Sequence, residues 1–187
     1  MADRDRLLEL LRERSFRRGT FTLTSGRESD FFIDCKPTVL SAEGHVLVGR
    51  CLLAQAMDFE PRPMAVAGVV LGGCPLASAV AYASELADGP SLDAVLVRKE
   101  SKGHGSKNRL EGAAHLSEGA PVVVVEDTVT TGGSTLRAAT ALREAGLTIA
   151  GVLAIVDRRE GAAEAFEDAG LPFAALFGRE DFMGGRE

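Results

Sequence analysis

Residues Val122–Thr135, which read VVVVEDTVTTGGST, are the most informative part of this chain for its fold. Its first four residues form a short β-branched run, which is typical of a parallel strand buried on both faces. Two carboxylates, Glu126 and Asp127, stand where this predicted strand ends, and a turn rich in hydroxyls and glycine follows them. The next residues, Leu136–Leu142, have the spacing of an amphipathic helix that Gly146 would end. The stretch therefore predicts one strand–turn–helix unit.

The turn of this unit predicts an anion site. The first N–H groups of a helix lack partners within the helix, the helix dipole favours negative charge there, and glycine lets the backbone approach a phosphate. Carboxylates beside a bound phosphate would repel it, so Glu126 and Asp127 should bind hydroxyl groups or a cation instead. The alternative is a buried strand with an ordinary glycine-rich turn, which the acid pair and the hydroxyl run make less favourable. The chain has no GxxxxGK[ST] loop, and no GxGxxG motif follows a strand.

The same alternation of strands and helices runs through the rest of the chain. It predicts βαβ units and an α/β, Rossmann-like, mostly parallel sheet flanked by helices. Ligands in such folds bind beyond the carboxyl ends of the strands, where the acid pair falls. The predicted strands are Ala65–Leu71, Ala94–Val97, Val122–Val125, Ile149–Val156 and Phe173–Phe177. The predicted helices are a first one ended by Gly19, then Ser41–Met57, Pro75–Ala87, Ser134–Ala145 and Gly161–Ala169.

Composition limits the classes of function. The 187 residues, of which 45% are hydrophobic, are typical of one globular domain. A net charge of −6 argues against a nucleic-acid partner, and no apolar run approaches the ~20 residues of a membrane span. Three widely spaced cysteines predict reduced thiols in a cytoplasmic protein. The three histidines form no pair with metal-ligand spacing, so a structural metal is not expected.

The stretch Val122–Thr135 resembles the signature of the type I phosphoribosyltransferases, which bind 5-phosphoribosyl 1-diphosphate. In that family the two acids hold the ribose hydroxyls and the turn wraps the 5-phosphate. The resemblance also implies a catalytic role for Asp127. It implies that the donor is bound by Glu126, Asp127, Thr128, Val129, Thr130, Thr131, Gly132, Gly133 and Ser134.

A basic segment, Val97–Gly112, reads VRKESKGHGSKNRLEG and carries five basic and two acidic side chains, a net charge of +3. On its residues alone it is either a solvated surface loop or a long loop on the ligand face of the sheet. It resembles the mobile catalytic loop of the orotate phosphoribosyltransferases, over about residues 99–112. The resemblance implies a homodimer in which Lys102 and His104 act catalytically on the neighbouring subunit's site. It implies donor contacts from Arg98, Lys99, Lys102 and His104.

Two further segments resemble the substrate side of that family. Phe21–Lys36, FTLTSGRESDFFIDCK, reads as two extended pieces joined by a turn and resembles the hood over orotate. Without the resemblance, its phenylalanines would form a cross-strand pair in a core. Asp157–Gly161, DRREG, resembles a turn whose arginine binds the orotate carboxylate, whereas on its own it would be a local ion pair. The implied orotate contacts are Arg27, Phe31, Phe32, Thr130 and Arg158.

The segment Gly68–Leu76, GVVLGGCPL, resembles the turn that holds diphosphate with backbone amides. Some members of the family carry a lysine where this chain has Gly72. The resemblance implies a single domain over residues 1–187, with an N-terminal helix and hood over about 1–40 and a core over about 41–187.

The reaction that these resemblances imply joins orotate to the phosphoribosyl group, giving orotidine 5′-monophosphate and diphosphate in pyrimidine biosynthesis. The implied cofactor is Mg²⁺, held mainly through the substrate. The alternatives are a phosphoribosyltransferase for another base, such as a purine, xanthine or uracil, or a regulatory relative of the same fold.

Overall fold

The computed structural model describes residues 2–22, 28–98 and 109–184. Its helices are α1 (Ala2–Arg14), α2 (Lys36–Val39), α3 (Ala42–Ala56), α4 (Gly73–Glu85), α5 (Gly133–Glu144), α6 (Ala162–Asp168) and α7 (Arg179–Met183). Its strands are β1 (Phe16–Thr22), β2 (Glu28–Ile33), β3 (Ala65–Val69), β4 (Asp93–Val97), β5 (Leu110–Glu111), β6 (Pro121–Val129), β7 (Thr148–Asp157) and β8 (Phe173–Gly178).

A six-stranded sheet of order β5–β4–β3–β6–β7–β8 forms the centre of the molecule, and its strands are parallel except for β5. The four valines of the opening stretch are fully buried. Val123 and Val125 enter the core under α1, α3 and α4, whereas Val122 and Val124 enter the core under α5 and α6. This alternation follows from the two-residue period of a strand, and it confirms the predicted sheet with helices on both faces.

The residues before this sheet form a separate antiparallel hairpin of β1 and β2. Its two extended pieces agree with the prediction, although the turn at residues 25–27 lies outside the described residues. The prediction that Gly19 ends the first helix is wrong, because α1 ends at Arg14 and Gly19 lies inside β1. The ring of Phe16 lies 5.3 Å from that of Phe31 and 5.5 Å from that of Phe182. Burial of this aromatic cluster favours a strand over continued helix.

The predicted core elements are present with shifted ends. The largest shift concerns the strand before the acid pair, since β6 continues through Glu126 and Asp127 to pair Val129 with Asp157 of β7. The acids therefore lie on the strand itself. Strand β5 was not predicted, and its pairing with β4 brings regular structure back within the segment 99–112. Among the described residues, no helix is long and apolar enough to cross a membrane.

Candidate active site

The site lies at the carboxyl edge of the sheet, where the turn after β3, the end of β6 and the turn after β7 meet. Strands β6 and β7 are paired as far as Val129 and Asp157. The N–H of Arg158 then donates to the carbonyl of Val129 at 3.1 Å, which fixes the start of the DRREG turn against the acid-bearing strand. This is the edge at which parallel sheets bind their ligands.

Two different supports hold the carboxylates of the acid pair. Glu126 is buried, and its Oε1 accepts a hydrogen bond from the Ser134 hydroxyl at 3.1 Å, which ties the acid to the start of α5. Oδ1 of Asp127 accepts from the N–H of Thr128 at 2.8 Å. Burial raises the pKa of Asp127 above its ordinary value, while the Thr128 N–H opposes that rise. Both acids therefore stand preorganised for a ligand that offers hydroxyl groups.

The turn from Thr130 to Ser134 leads directly into the N-terminus of α5. Gly132 has φ of 75°, and a Cβ there would lie 2.8 Å from the ring of Phe166. Only glycine fits this left-handed position against an aromatic ring. The first N–H groups of the 12-residue helix are thereby directed toward the same edge as the acid pair, as a phosphate cradle requires.

The turn after β3 packs against the acid pair from another side. A Cβ on Gly72 would lie 2.7 Å from the carboxylate atoms of Asp127, which leaves no room for any side chain in this arrangement. The sequence alone does not reveal that Gly72 lies against Asp127, because the two residues are far apart in the chain. The close approach brings the predicted diphosphate turn and the predicted ribose acid together.

The two arginines of the DRREG turn have different surroundings. The Arg158 side chain is 11% exposed, and its guanidinium lies 5.8 Å from the Phe31 ring centroid. Its Nη2 lies 2.9 Å from Oε1 of Glu160, which is an ion-pair distance, but the two atoms do not meet the geometry of a hydrogen bond. The buried Nε and Nη2 of Arg158 therefore have no hydrogen-bond partner among the described residues. Arg159 instead forms ion pairs with Asp157 at 2.9 Å and Glu180 at 2.7 Å. Arg158 alone thus offers unused donors to an anionic ligand.

The two predicted orotate contacts on the hairpin, Phe31 and Phe32, differ in their exposure to solvent. Phe31 is fully buried, as the alternative of a core phenylalanine predicts, and the Arg158 guanidinium lies over its ring. Phe32 is 38% exposed, and its ring lies 5.2 Å from that of Phe21 across the hairpin. Arg27 lies outside the described residues.

The base of the basic segment is closed by pairing between its ends. The N–H of Arg98 donates to the carbonyl of Arg109 at 2.8 Å, and its guanidinium pairs with Glu111 at 2.7 Å. Arg98 is thus engaged with its own segment. The remaining predicted residues of this segment, Lys99, Lys102 and His104, lie outside the described residues.

Two basic residues near the site were missed by the sequence reasoning. Lys36 is the last residue of the hood segment, and its charge opposes the rise that burial imposes on the pKa of Asp127. Arg137, together with Arg98 and Arg109, lines a cavity of about 70 Å³ beside Ser134. Each had a weak signal, since Lys36 ends the quoted hood segment and Arg137 lies in an early turn of the helix that forms the cradle.

Comparisons with known proteins agree with this geometry. A family model described as phosphoribosyl transferase domain matches residues 47–169. An orotate phosphoribosyltransferase of Sorangium cellulosum (strain So ce56) is 57% identical over 97% of this chain and 94% of that protein. One from Thermosynechococcus vestitus is 49% identical over 93% of this chain and 89% of that protein.

A solved structure gives the same answer at the level of the fold. The crystal structure of Mycobacterium tuberculosis H37Rv orotate phosphoribosyltransferase in complex with 5-phospho-alpha-D-ribosyl 1-diphosphate has a TM-score of 0.78 and 36% identity, covering 96% of this chain and 98% of that chain. A family model over most of the chain and a relative more than half identical along nearly all of it decide the assignment. This chain belongs to the orotate phosphoribosyltransferases, within the phosphoribosyltransferase family.

Proposed function

We propose that this chain transfers the 5-phosphoribosyl group from 5-phosphoribosyl 1-diphosphate to orotate, giving orotidine 5′-monophosphate and diphosphate for pyrimidine biosynthesis. The observation that carries the choice of base is Arg158, whose buried Nε and Nη2 have no hydrogen-bond partner among the described residues. A buried guanidinium with unused donors is costly unless a ligand supplies acceptors. The planar carboxylate of orotate fits that fork, which lies over the buried Phe31 ring.

The donor is held by three parts of the site. The turn from Thr130 to Ser134 binds the 5-phosphate with backbone N–H groups at the start of α5, where the helix dipole favours negative charge. Glu126 and Asp127 accept hydrogen bonds from the ribose hydroxyls. The turn that contains Gly72 binds the diphosphate with backbone amides. The close approach of Gly72 to Asp127 supports this order of groups, because ribose and diphosphate are bonded to each other in the donor.

Catalysis then consists of positioning and charge stabilisation. The bond between the ribose C1 carbon and the diphosphate oxygen breaks, and its electron pair leaves with the diphosphate. An orotate nitrogen bonds to that carbon and gives up its proton, which the overall reaction leaves on the diphosphate, and the ribose ring carries positive charge in between. The carboxylates of Glu126 and Asp127 stabilise this charge from a preorganised position. Lys102 neutralises the departing diphosphate, and His104 donates a hydrogen bond or proton to it. These last two roles rest on the resemblance of the basic segment.

The donor set of the site fits Mg²⁺ that is bound mainly through the substrate. Within the described ranges, no three His, Cys, Asp or Glu side chains are grouped to hold a metal ion. Mg²⁺ commonly keeps several waters and binds substrate phosphates with one or two carboxylates, which Glu126 and Asp127 could supply. When bound, the ion supplies positive charge to the diphosphate oxygens.

The reaction is tested directly by the loss of orotate absorbance when 5-phosphoribosyl 1-diphosphate and Mg²⁺ are added. We expect turnover with orotate and none with adenine, hypoxanthine, xanthine or uracil in separate cuvettes. Turnover of a purine in place of orotate would favour the alternative of another base. Absence of turnover with every base would favour a regulatory relative.

We expect Gly72→Ala to lower kcat/KM for the donor by at least about tenfold, because the new methyl group would displace the Asp127 carboxylate or the diphosphate turn. Gly89→Ala is a matched control, since no atom lies within 4 Å of a Cβ at that position. Steady-state kinetics of both variants measure the effect. Equal kinetics for Gly72→Ala and the wild type would show that the turn does not bind the donor.

We further propose a cytoplasmic homodimer with shared active sites. The three cysteines of the chain, all within its described part, are free thiols, which agrees with a reducing compartment. Exposed apolar side chains on α3, on α4 and directly after α4, among them Val46, Tyr82 and Leu86, line an open groove of about 550 Å³ that a second copy could cover.

The shared site predicts complementation between two inactive variants. If Lys102 serves the neighbouring subunit and Asp127 serves its own, a mixed dimer of Lys102→Ala and Asp127→Asn has one intact site and one site with both lesions. Random exchange gives about half mixed dimers, so roughly a quarter of all sites regain activity. The activity of the two variants after they are unfolded and refolded together measures this. An inactive mixture with proven subunit exchange would place the loop in its own subunit's site.

A further inference from the structure

Lys36 lies at the rim of the acid pair because the residue before it is anchored there. Cys35 is fully buried, and its thiol lies 3.7 Å from the carbonyl oxygen of Asp127 and 3.5 Å from the hydroxyl of Thr128. Burial raises the pKa of this thiol to about 12, so it stays protonated and can donate to that carbonyl. The segment between β2 and α2 is thus attached to the end of β6.

The ammonium group of Lys36 is accessible as well as close to the acids. Its Nζ forms an ion pair with Asp34 at 2.7 Å, while about half of the Lys36 side chain is exposed (49%). Asp34 chiefly raises the pKa of Lys36, and Asp127 raises it further. In turn, Lys36 opposes the rise that burial imposes on the pKa of Asp127. Lys36 therefore carries a positive charge within electrostatic reach of the half-buried Asp127 carboxylate.

The diphosphate turn lies against the same carboxylate. A Cβ on Gly72 would be 2.7 Å from the Asp127 carboxylate atoms, and the residues Val70–Gly73 carry no charged side chain. An anion bound to the amides of this turn would lie beside a carboxylate that repels it. A cation near Asp127 would offset this repulsion. Arg158 is mostly buried over Phe31, whereas Lys36 can reach a ligand from solvent.

We propose that Lys36 is a further diphosphate-binding residue, whose ammonium leaves Asp34 and contacts the diphosphate group of the donor near Gly72. This inference rests on the proposed function and deepens it. An exposed ion pair contributes little to stability, so its exchange for a ligand contact is easy. A lysine is a flexible point charge with three donors, which suits a ligand that enters and leaves in every cycle.

The test compares the binding of two anions in calorimetric titrations, inorganic diphosphate and ribose 5-phosphate, each with and without Mg²⁺. We expect Lys36→Met to weaken diphosphate binding by roughly 10- to 100-fold, as for one lost charged hydrogen bond, and ribose 5-phosphate binding by less than about twofold. Lys36→Arg should keep most of the affinity. Asp34→Asn keeps the acceptor for the Lys36 backbone N–H at 3.1 Å but removes the competing charge, so it should tighten diphosphate binding. The matched control is Arg6→Met, which removes another exposed ion-paired cation, on α1.

The outcomes separate this inference from the proposed function. The wild type binds both anions if the proposed function is right. If Lys36→Met then binds diphosphate as tightly as the wild type does, the role of Lys36 is wrong and the proposed function still stands. Equal weakening of both anions in Lys36→Met would also overturn it, because the effect would then be a general loss of structure. If the wild type bound neither anion, the proposed function would fail and the inference with it.

Discussion

Replacing Arg158 with alanine should lower kcat/KM for orotate by roughly 30- to 900-fold, which corresponds to about 2–4 kcal/mol for the loss of a buried charged hydrogen bond. The reason is that the buried Nε and Nη2 of its guanidinium, which lies over the Phe31 ring, have no hydrogen-bond partner among the described residues. The KM for 5-phosphoribosyl 1-diphosphate should change much less, since the arginine contacts the base side of the site. Steady-state kinetics with each substrate varied in turn measure both effects.

The neighbouring arginine provides a matched control. Arg159→Ala removes ion pairs to Asp157 and Glu180, neither of which is a predicted orotate contact, so it should leave orotate kinetics nearly unchanged. Both variants change the same kind of residue in the same turn. If Arg158→Ala leaves orotate kinetics unchanged, its guanidinium serves only the local contact with Glu160, and its assignment to orotate is wrong.

Asp127→Asn should lower kcat by about 10²–10³, because a preorganised carboxylate that stabilises charge in the transition state supplies a term of this size. The same change should stabilise the free protein at neutral pH. Burial raises the pKa of Asp127 in the folded state, so the folded chain holds this proton more tightly than the unfolded chain does. In the wild type, the stabilisation that this bound proton gives to the folded state is present at low pH. It is lost as the pH rises through the raised pKa of Asp127.

Asparagine keeps the acceptor for the Thr128 N–H and removes the half-buried charge of Asp127. We expect about 1 kcal/mol of added stability at neutral pH, or an increase of roughly 2–4 °C in Tm. The gain should shrink as the pH falls toward the range in which the wild-type carboxyl is protonated. Thermal unfolding at several pH values measures it. A variant that is less stable than the wild type at neutral pH would make Asp127 a structural residue, in conflict with a site that stores unfavourable charge for its ligand.

The parts of the fold that the sequence predicts well depend on local patterns. The valine run, the glycine turn and the helix after it lie together in one stretch, so hydrophobic period and helix-start signals suffice. The hairpin was misread at its start, because Phe16 belongs to a strand only through its packing on Phe31 and Phe182. Such contacts between distant residues override local preference.

The site shows the same division. The acid pair and the glycine turn after it can be predicted from the sequence because they are contiguous in the chain. The approach of Gly72 to Asp127 and the anchoring of Cys35 under the same strand depend on how separate elements pack, so no local pattern predicts them. The resemblance implies Arg158 from a turn with two arginines. The structure adds a physical difference between them, since Arg159 donates hydrogen bonds to Asp157 and Glu180, whereas the buried Nε and Nη2 of Arg158 have no hydrogen-bond partner among the described residues.

One competition experiment decides which base this chain uses. The protein would be given 5-phosphoribosyl 1-diphosphate and Mg²⁺ with an equimolar mixture of orotate, uracil, xanthine, adenine and hypoxanthine, and the nucleotides formed would be identified by mass spectrometry. We expect orotidine 5′-monophosphate as the product, formed together with diphosphate, and its loss in Arg158→Ala. A different nucleoside monophosphate as the main product would show that orotate is not the preferred base.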